Sequence, residues 1–328
     1  MRMKGPRATL SAGLAGVLAF GIIGTSLAHA QAPPRFYWKS LVGGNAVPVI
    51  FQSLSGNANP IDPGHVVSAN ADVEANVATV GYARVFALFD RTLTVALLEP
   101  VGRISGDTTV AGRSFDQSAS GFGDPMLELS YSLIGPKAIR DLPDLMRYQP
   151  KFSLDLLVDV AFPIGDYDDD QPLNLGQNRW YGRVGVPVIW QIGPWVPGQR
   201  MTVELLPSVW WFTDNSDYVG TRLETDPMFQ LDAHLTRDFT QNFWGSADLT
   251  YMAGAKSTID GVEGDSLNTL GLGVTLGYQI TDNIQLTAGY ASTVNDSGST
   301  DLEMDGFKLS FTYGWHKLLE GAKRLKEE

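Results

Sequence analysis

The chain has 328 residues, 44% of them hydrophobic, with 24 basic against 36 acidic residues and a formal net charge of −12. An acidic surplus of this size argues against nucleic acid as a partner. There is no cysteine, so a disulfide framework, a thiolate metal site and a cysteine nucleophile are all excluded.

At the N-terminus Arg2, Lys4 and Arg7 precede an apolar stretch from Leu10 to Leu27, and Ala28-His29-Ala30 leads into Gln31. A charged start, an apolar centre and a small-residue end read as a cleavable secretory signal over residues 1–30. Its removal takes away three cations and moves the charge from −12 to −15. No later stretch is long and apolar enough for a transmembrane helix. A membrane location would then require a closed barrel, because only helices and closed barrels satisfy the backbone in lipid.

Beyond the signal the pattern has a period of two. Its clearest segment sets Phe152, Leu154, Leu156, Val158, Val160 and Phe162 on one face and Lys151, Ser153, Asp155 and Asp159 on the other. Strands are expected near 36–53, 77–89, 91–103, 122–134, 150–163, 180–192, 200–213, 226–237, 242–254, 267–280, 284–294 and 305–315. These twelve make the fold class all-β: a transmembrane antiparallel β-barrel of outer-membrane type, filling residues 31–328 as one domain. Gly43-Gly44 and Pro48 interrupt the first strand. Residues Gln31 to Asn59 read as that strand with a ragged lead-in, and a lumen plug is the alternative.

Connections alternate in length. Long ones fall near 54–76, 104–121, 164–179, 214–225, 255–266 and 295–304, and they hold 18 of the 36 acidic residues. The others are mostly tight, except 135–149, where Lys137, Arg140 and Arg147 suggest a basic turn with a short helix. With Lys317, Lys323, Arg324 and Lys326 in a periplasmic extension over 316–328, this orients the long loops outward. Aromatic pairs near strand ends, among them Phe36-Tyr37-Trp38, Trp180-Tyr181, Trp210-Trp211-Phe212, Phe243-Trp244 and Tyr313 with Trp315, read as interfacial girdles.

Several turn and rim motifs carry a family resemblance. Gly121-Phe122-Gly123-Asp124-Pro125 opens a strand, Phe162-Pro163-Ile164-Gly165-Asp166-Tyr167-Asp168 closes one, and Leu173 to Trp180 with Thr213-Asp214-Asn215 complete the set. On these the chain resembles the outer-membrane transporter family labelled putative meta-pathway of phenol degradation, over about residues 35–315. The resemblance implies a channel-like barrel that passes aromatic or otherwise hydrophobic compounds.

With the apolar face toward lipid, alternation turns Glu128, Lys151, Asp155, Asp159, Arg183, Gln191, Glu204, Gln230, Asp232, His234, Asp248 and Lys308 into the lumen. They form either a network filling a narrow interior or a selectivity constriction of Arg183, Asp155, Asp159 and Lys308. Tyr82 and Phe86 with Leu88, and Trp210 and Phe212 with Leu206, also fall on inward faces, as a greasy track or as a register error. Asp166, Asp168, Asp169 and Asp170 are weak calcium candidates that read more simply as a solvated loop, so no metal is expected. No His-x-Ser pair exists for a lipid hydrolase; His234-Leu235-Thr236 with Asp232 is its nearest approach. The chain therefore reads as a channel without enzymatic chemistry or cofactor. Its expected partners are outer-membrane lipid and lipopolysaccharide, a small-molecule substrate and the barrel-assembly machinery. The rival is a closed structural or adhesive barrel whose acidic loops bind cations or surface ligands.

Overall fold

In the computed structural model, residues 31–68, 71–294 and 301–321 are described. The expected signal over 1–30 and the basic residues Lys323, Arg324 and Lys326 lie outside them. Eighteen strands follow in order: β1 Asn45–Gly56, β2 Asp72–Leu88, β3 Arg91–Val110, β4 Arg113–Phe122, β5 Met126–Ile134, β6 Phe152–Ala161, β7 Tyr181–Gly185, β8 Val188–Gln191 and β9 Met201–Phe212. Then come β10 Asn215–Tyr218, β11 Thr221–Thr225, β12 Met228–Asp238, β13 Phe243–Gly254, β14 Ser257–Ile259, β15 Val262–Glu263, β16 Leu267–Thr281, β17 Ile284–Thr293 and β18 Met304–Trp315.

Every neighbouring pair in the large sheet is antiparallel, and β18 returns to β1, so that Asn45 faces Trp315 and Gly56 faces Met304. The sheet is a closed barrel of twelve positions. Two positions are each filled by two short strands: β4 and β5 separated by Gly123-Asp124-Pro125, and β7 and β8 separated by Val186-Pro187. Proline has no N–H for the ladder, so each break sits where the ladder cannot continue.

Polarity is inverted relative to a soluble protein. Phe51, Val80, Leu97, Val209, Leu272, Val274, Phe307 and Phe311 are exposed on the outside, while Asp159, Arg183, Glu204 and Asp232 are buried within. This is the arrangement in which lipid solvates the apolar face and protein solvates the polar one. In β6 the alternation has the expected phase, with Ser153, Asp155, Leu157 and Asp159 inward. In β2 it does not: Tyr82, Phe86 and Leu88 point outward, and the small Ala83 and Val85 face in. The inward assignment of Tyr82 and Phe86 is therefore corrected. Arg84 misled it, because this outward cation lies near the periplasmic end, where Asn45 and Arg84 are cross-strand partners.

The ends also differ from expectation. The stretch 104–121 is no loop: β3 and β4 extend it as a hairpin turned by Ala111-Gly112, both at positive φ. Similarly, 214–225 and 255–266 build a small sheet, β10-β11-β14-β15. The basic periplasmic turn does hold a helix, α1 Leu142–Arg147, whose N-cap Asp141 accepts the Asp144 N–H at 2.8 Å. The first strand begins at Asn45 rather than near 36. Residues 31–41 instead run inside the barrel, and Phe36, Tyr37 and Trp38 are buried there rather than in a girdle. Trp210 and Trp244 are likewise luminal, leaving Trp180, Trp190 and Tyr313 among the exposed aromatics.

Candidate functional site: a lumen filled from both ends

The inner wall carries a belt of charge set by register. Glu128 faces Asp159 across β5 and β6, Asp159 faces Arg183, and Arg183 faces Trp210. Farther round, Glu204 faces His234 and His234 faces Asp248. Arg183 Nε donates to Asp159 at 2.8 Å, and its Nη1 lies 3.8 Å from Asp232. His234 Nδ1 and Asp248 Oδ1 are 2.7 Å apart, and Thr275 donates to the other Asp248 oxygen at 2.6 Å. The partner of His234 is thus Asp248 and not Asp232. This dyad sits inside the barrel, away from the lipid that a hydrolase would have to reach.

Into this belt comes the N-terminal segment. Leu41 and Val42 meet Ile139 at the periplasmic turn, and from there back to Gln31 the chain lies in the lumen. Arg35 Nη2 donates to Asp238 at 2.6 Å, and the Arg35 backbone N–H donates to Glu204 at 2.6 Å. The Trp38 indole N–H reaches the second Glu204 oxygen at 2.8 Å, and Lys39 forms an ion pair with Asp155. Phe36, Tyr37 and Trp38 pack against Ala83, Ala96, Leu157, Ile189 and Leu206. A plug over residues 31–41 is what the structure contains, in place of the ragged strand.

The outer mouth is narrowed separately. Residues 57–65 fold inward and are buried throughout. Asp62 receives two bonds from Arg179, both 2.8 Å, and Arg179 is fully buried. Ile61 packs with Leu173 and Leu175 of the 162–180 loop over Val73, Ala75 and Ile104. That loop is tied down by Asp124, which accepts the Gly165 and Gln177 N–H groups at 2.9 and 2.8 Å. His65, at φ 43°, is buried beside Asp62 and the Asn59 backbone. It lines one narrow cavity with Gln31, Thr250, Met252 and Met304, so plug and lid meet in the outer half of the lumen.

The sequence-derived candidates therefore separate. Glu128, Asp155, Asp159, Arg183, Gln191, Glu204, Gln230, Asp232, His234, Asp248, Trp210 and Phe212 lie on inward faces. Lys151 does not: it is exposed at φ 47° in the turn before β6. The four residues expected to make one constriction do not meet. Arg183 and Asp159 pair with each other and Asp155 with the plug. Lys308 lies on the far wall with Gln52, Thr275 and Asp248 beside a second narrow cavity. Asp168, Asp169 and Asp170 form an exposed group, in which Asp168 already accepts from the Asp170 backbone and the Gln171 side chain. Asp166 instead accepts the Phe122 N–H at 2.7 Å.

Sequence reasoning missed Arg35, Lys39, Arg200 and Asp238. One signal was available. The inward faces carry more carboxylates than cations, and buried charge needs a partner, so the cations just ahead of the first strand were the nearest supply.

Fold and lumen define an outer-membrane β-barrel of the channel type, with apolar belt, polar interior and closed sheet. Residues 55–311 match the family described as Putative MetA-pathway of phenol degradation, and the chain belongs to that family. Its fold is similar to that of the COG4313 outer membrane channel from Pseudomonas putida F1, with TM-score 0.68 and 22% identity over 86% of this chain and 99% of that one. More distant are the β domain of the Bordetella autotransporter BrkA (TM-score 0.49, 9% identity, 84% and 100% covered) and the Pseudomonas putida toluene transporter TodX (TM-score 0.41, 9% identity, 84% and 89% covered). No curated protein matches the sequence.

Proposed function

We propose that this barrel is a passive channel for small hydrophobic or aromatic molecules, held shut in the present state by residues 31–41. The observation that carries the reading is the plug itself. It is joined to the wall by side-chain bonds and aromatic packing rather than by the barrel's ladder, so it can leave without opening the sheet. The family description supports an aromatic substrate class, and so does the aromatic lining of Tyr181, Trp210, Phe212 and Trp244. The rival adhesive reading loses ground, because the 173–179 part of the 162–180 loop turns inward over the mouth, leaving mainly Asp168, Asp169 and Asp170 outside.

Planar-bilayer recording and uptake by a deletion strain test this together. The full-length protein is expected to show rare openings, and the Arg35→Ala/Lys39→Ala double variant frequent ones. The deletion strain should grow poorly on limiting aromatic carbon. Absence of conductance in both proteins, with no uptake defect, would sink the proposal. Removing residues 166–176 should raise conductance; a loss of surface binding with permeation unchanged would favour the rival.

A further inference from the structure

We propose that the wall site filled by Arg35 is a receptor for organic cations, and that solutes bearing an ammonium or guanidinium on an apolar or aromatic body are the class it admits. This deepens the channel reading and rests on it.

The Arg35 guanidinium lies between two indoles, 4.3 Å from the Trp38 ring centre and 4.2 Å from that of Trp244, while it pairs with Asp238. Aromatic faces joined to a carboxylate are what recognise an ammonium or guanidinium ion. Trp38 leaves with the plug, but Trp244, Asp238 and Glu204 belong to the wall. Glu204 would lose two of its three donors, keeping only the Thr202 hydroxyl at 2.8 Å. Asp155 would lose Lys39, and its Oδ1 is already unpartnered although the residue is 1% exposed.

The wall's own arginines cannot replace what is lost. Arg183 is held by Asp159 and Asp232, and Arg200 by the second oxygen of Asp238 at 2.6 Å. Lys308, on the far wall, lies toward Asp248 and Asp232 and forms no ion pair with Glu204 or Asp155 among the described residues. An uncompensated carboxylate inside a narrow lumen is costly. An entering cation restores the pairing, a neutral solute leaves it unmet, and an anion worsens it. Arg35 is thus an internal stand-in for the ligand, and a solute of its own class competes with it.

The test uses full-length protein in liposomes with two membrane-impermeant probes of similar size, phenyltrimethylammonium and benzenesulfonate. The cation should enter about fivefold faster or more, the ratio that a single cation–π contact of roughly 1 kcal/mol supports. Glu204→Gln should bring that ratio toward one. Arg35→Ala, which alters only the plug, should raise the flux of both probes while the cation stays ahead. Heat-modifiable gel mobility confirms that each barrel is folded. Flux with no cation preference, or with a preference that survives Glu204→Gln combined with Asp155→Asn, overturns the cation site alone. No flux and no conductance, even from Arg35→Ala, overturns the channel reading and the site with it.

Discussion

At the scale of single residues, the least replaceable pair is Asp62 with Arg179. Both are buried, and a carboxylate that loses its guanidinium there keeps the desolvation cost without the attraction. Arg179→Ala is expected to cost about 3 to 5 kcal/mol in the lid, read as faster hydrogen exchange over 57–68, with the barrel ladder unaffected. Unchanged protection would show that Ile61 packing alone holds the lid. His65 adds a pH dependence. Burial holds its imidazole below the ordinary value, against the opposing pull of Asp62. A base lowered in the folded state contributes fully above its unfolded value of about 6.5 and loses that contribution as the pH falls through the folded value. Lid protection should therefore weaken as the pH falls below about 6.5, and His65→Gln should flatten the profile. An identical profile in that variant would assign the effect to another group.

At the scale of elements, the strands differ in how plainly they declare their faces. In β6 polar and apolar residues alternate without exception from Phe152 to Leu156, so inside and outside could be told apart from composition. In β2 the inward residues are Val73, Ala75, Val77, Thr79, Gly81, Ala83 and Val85, all but one of them apolar, and the outward ones include Glu74 and Arg84 near the ends. With apolar residues on both faces, only pairing to β1 and β3 sets the phase. Solvent identity governs substitutions here. Val274→Arg, on the lipid face of β16, is expected to lower stability by about 2 to 4 kcal/mol near mid-membrane, whereas the inward Thr275→Ser should change it little. Equal effects in urea titrations of the folded barrel in detergent or bilayer would contradict this orientation. The inner face of β16 is also constrained by shape. A Cβ at Gly277 would overlap the Trp244 indole, so Gly277→Ala should displace that ring and weaken the plug's grip on it. Altered tryptophan fluorescence with more frequent openings is the expected result, and unaltered gating would place Trp244 outside the closure.

At the scale of the whole molecule, the barrel encloses two closures of different origin, a lid from the loops 57–68 and 162–180 and a plug from 31–41. Each is packed on its own apolar cluster, so removing one should leave the other standing. The lid of the plug variant is then expected to keep its exchange protection, and its loss together with the plug would mean that the two act as one unit. The sequence by itself determined the class of this protein: twelve segments of period two, an apolar face without a soluble core to fill, no cysteine, and long acidic connections alternating with short ones. Those features are local, since each strand's alternation and each connection's length is written in one short stretch of consecutive residues. What only the tertiary structure decided is the content of the lumen. Residues 31–41 carry no period, and their partners Asp155, Glu204 and Asp238 lie more than a hundred positions away. A buried cation is placed by where its counter-charge folds, which no window of sequence contains.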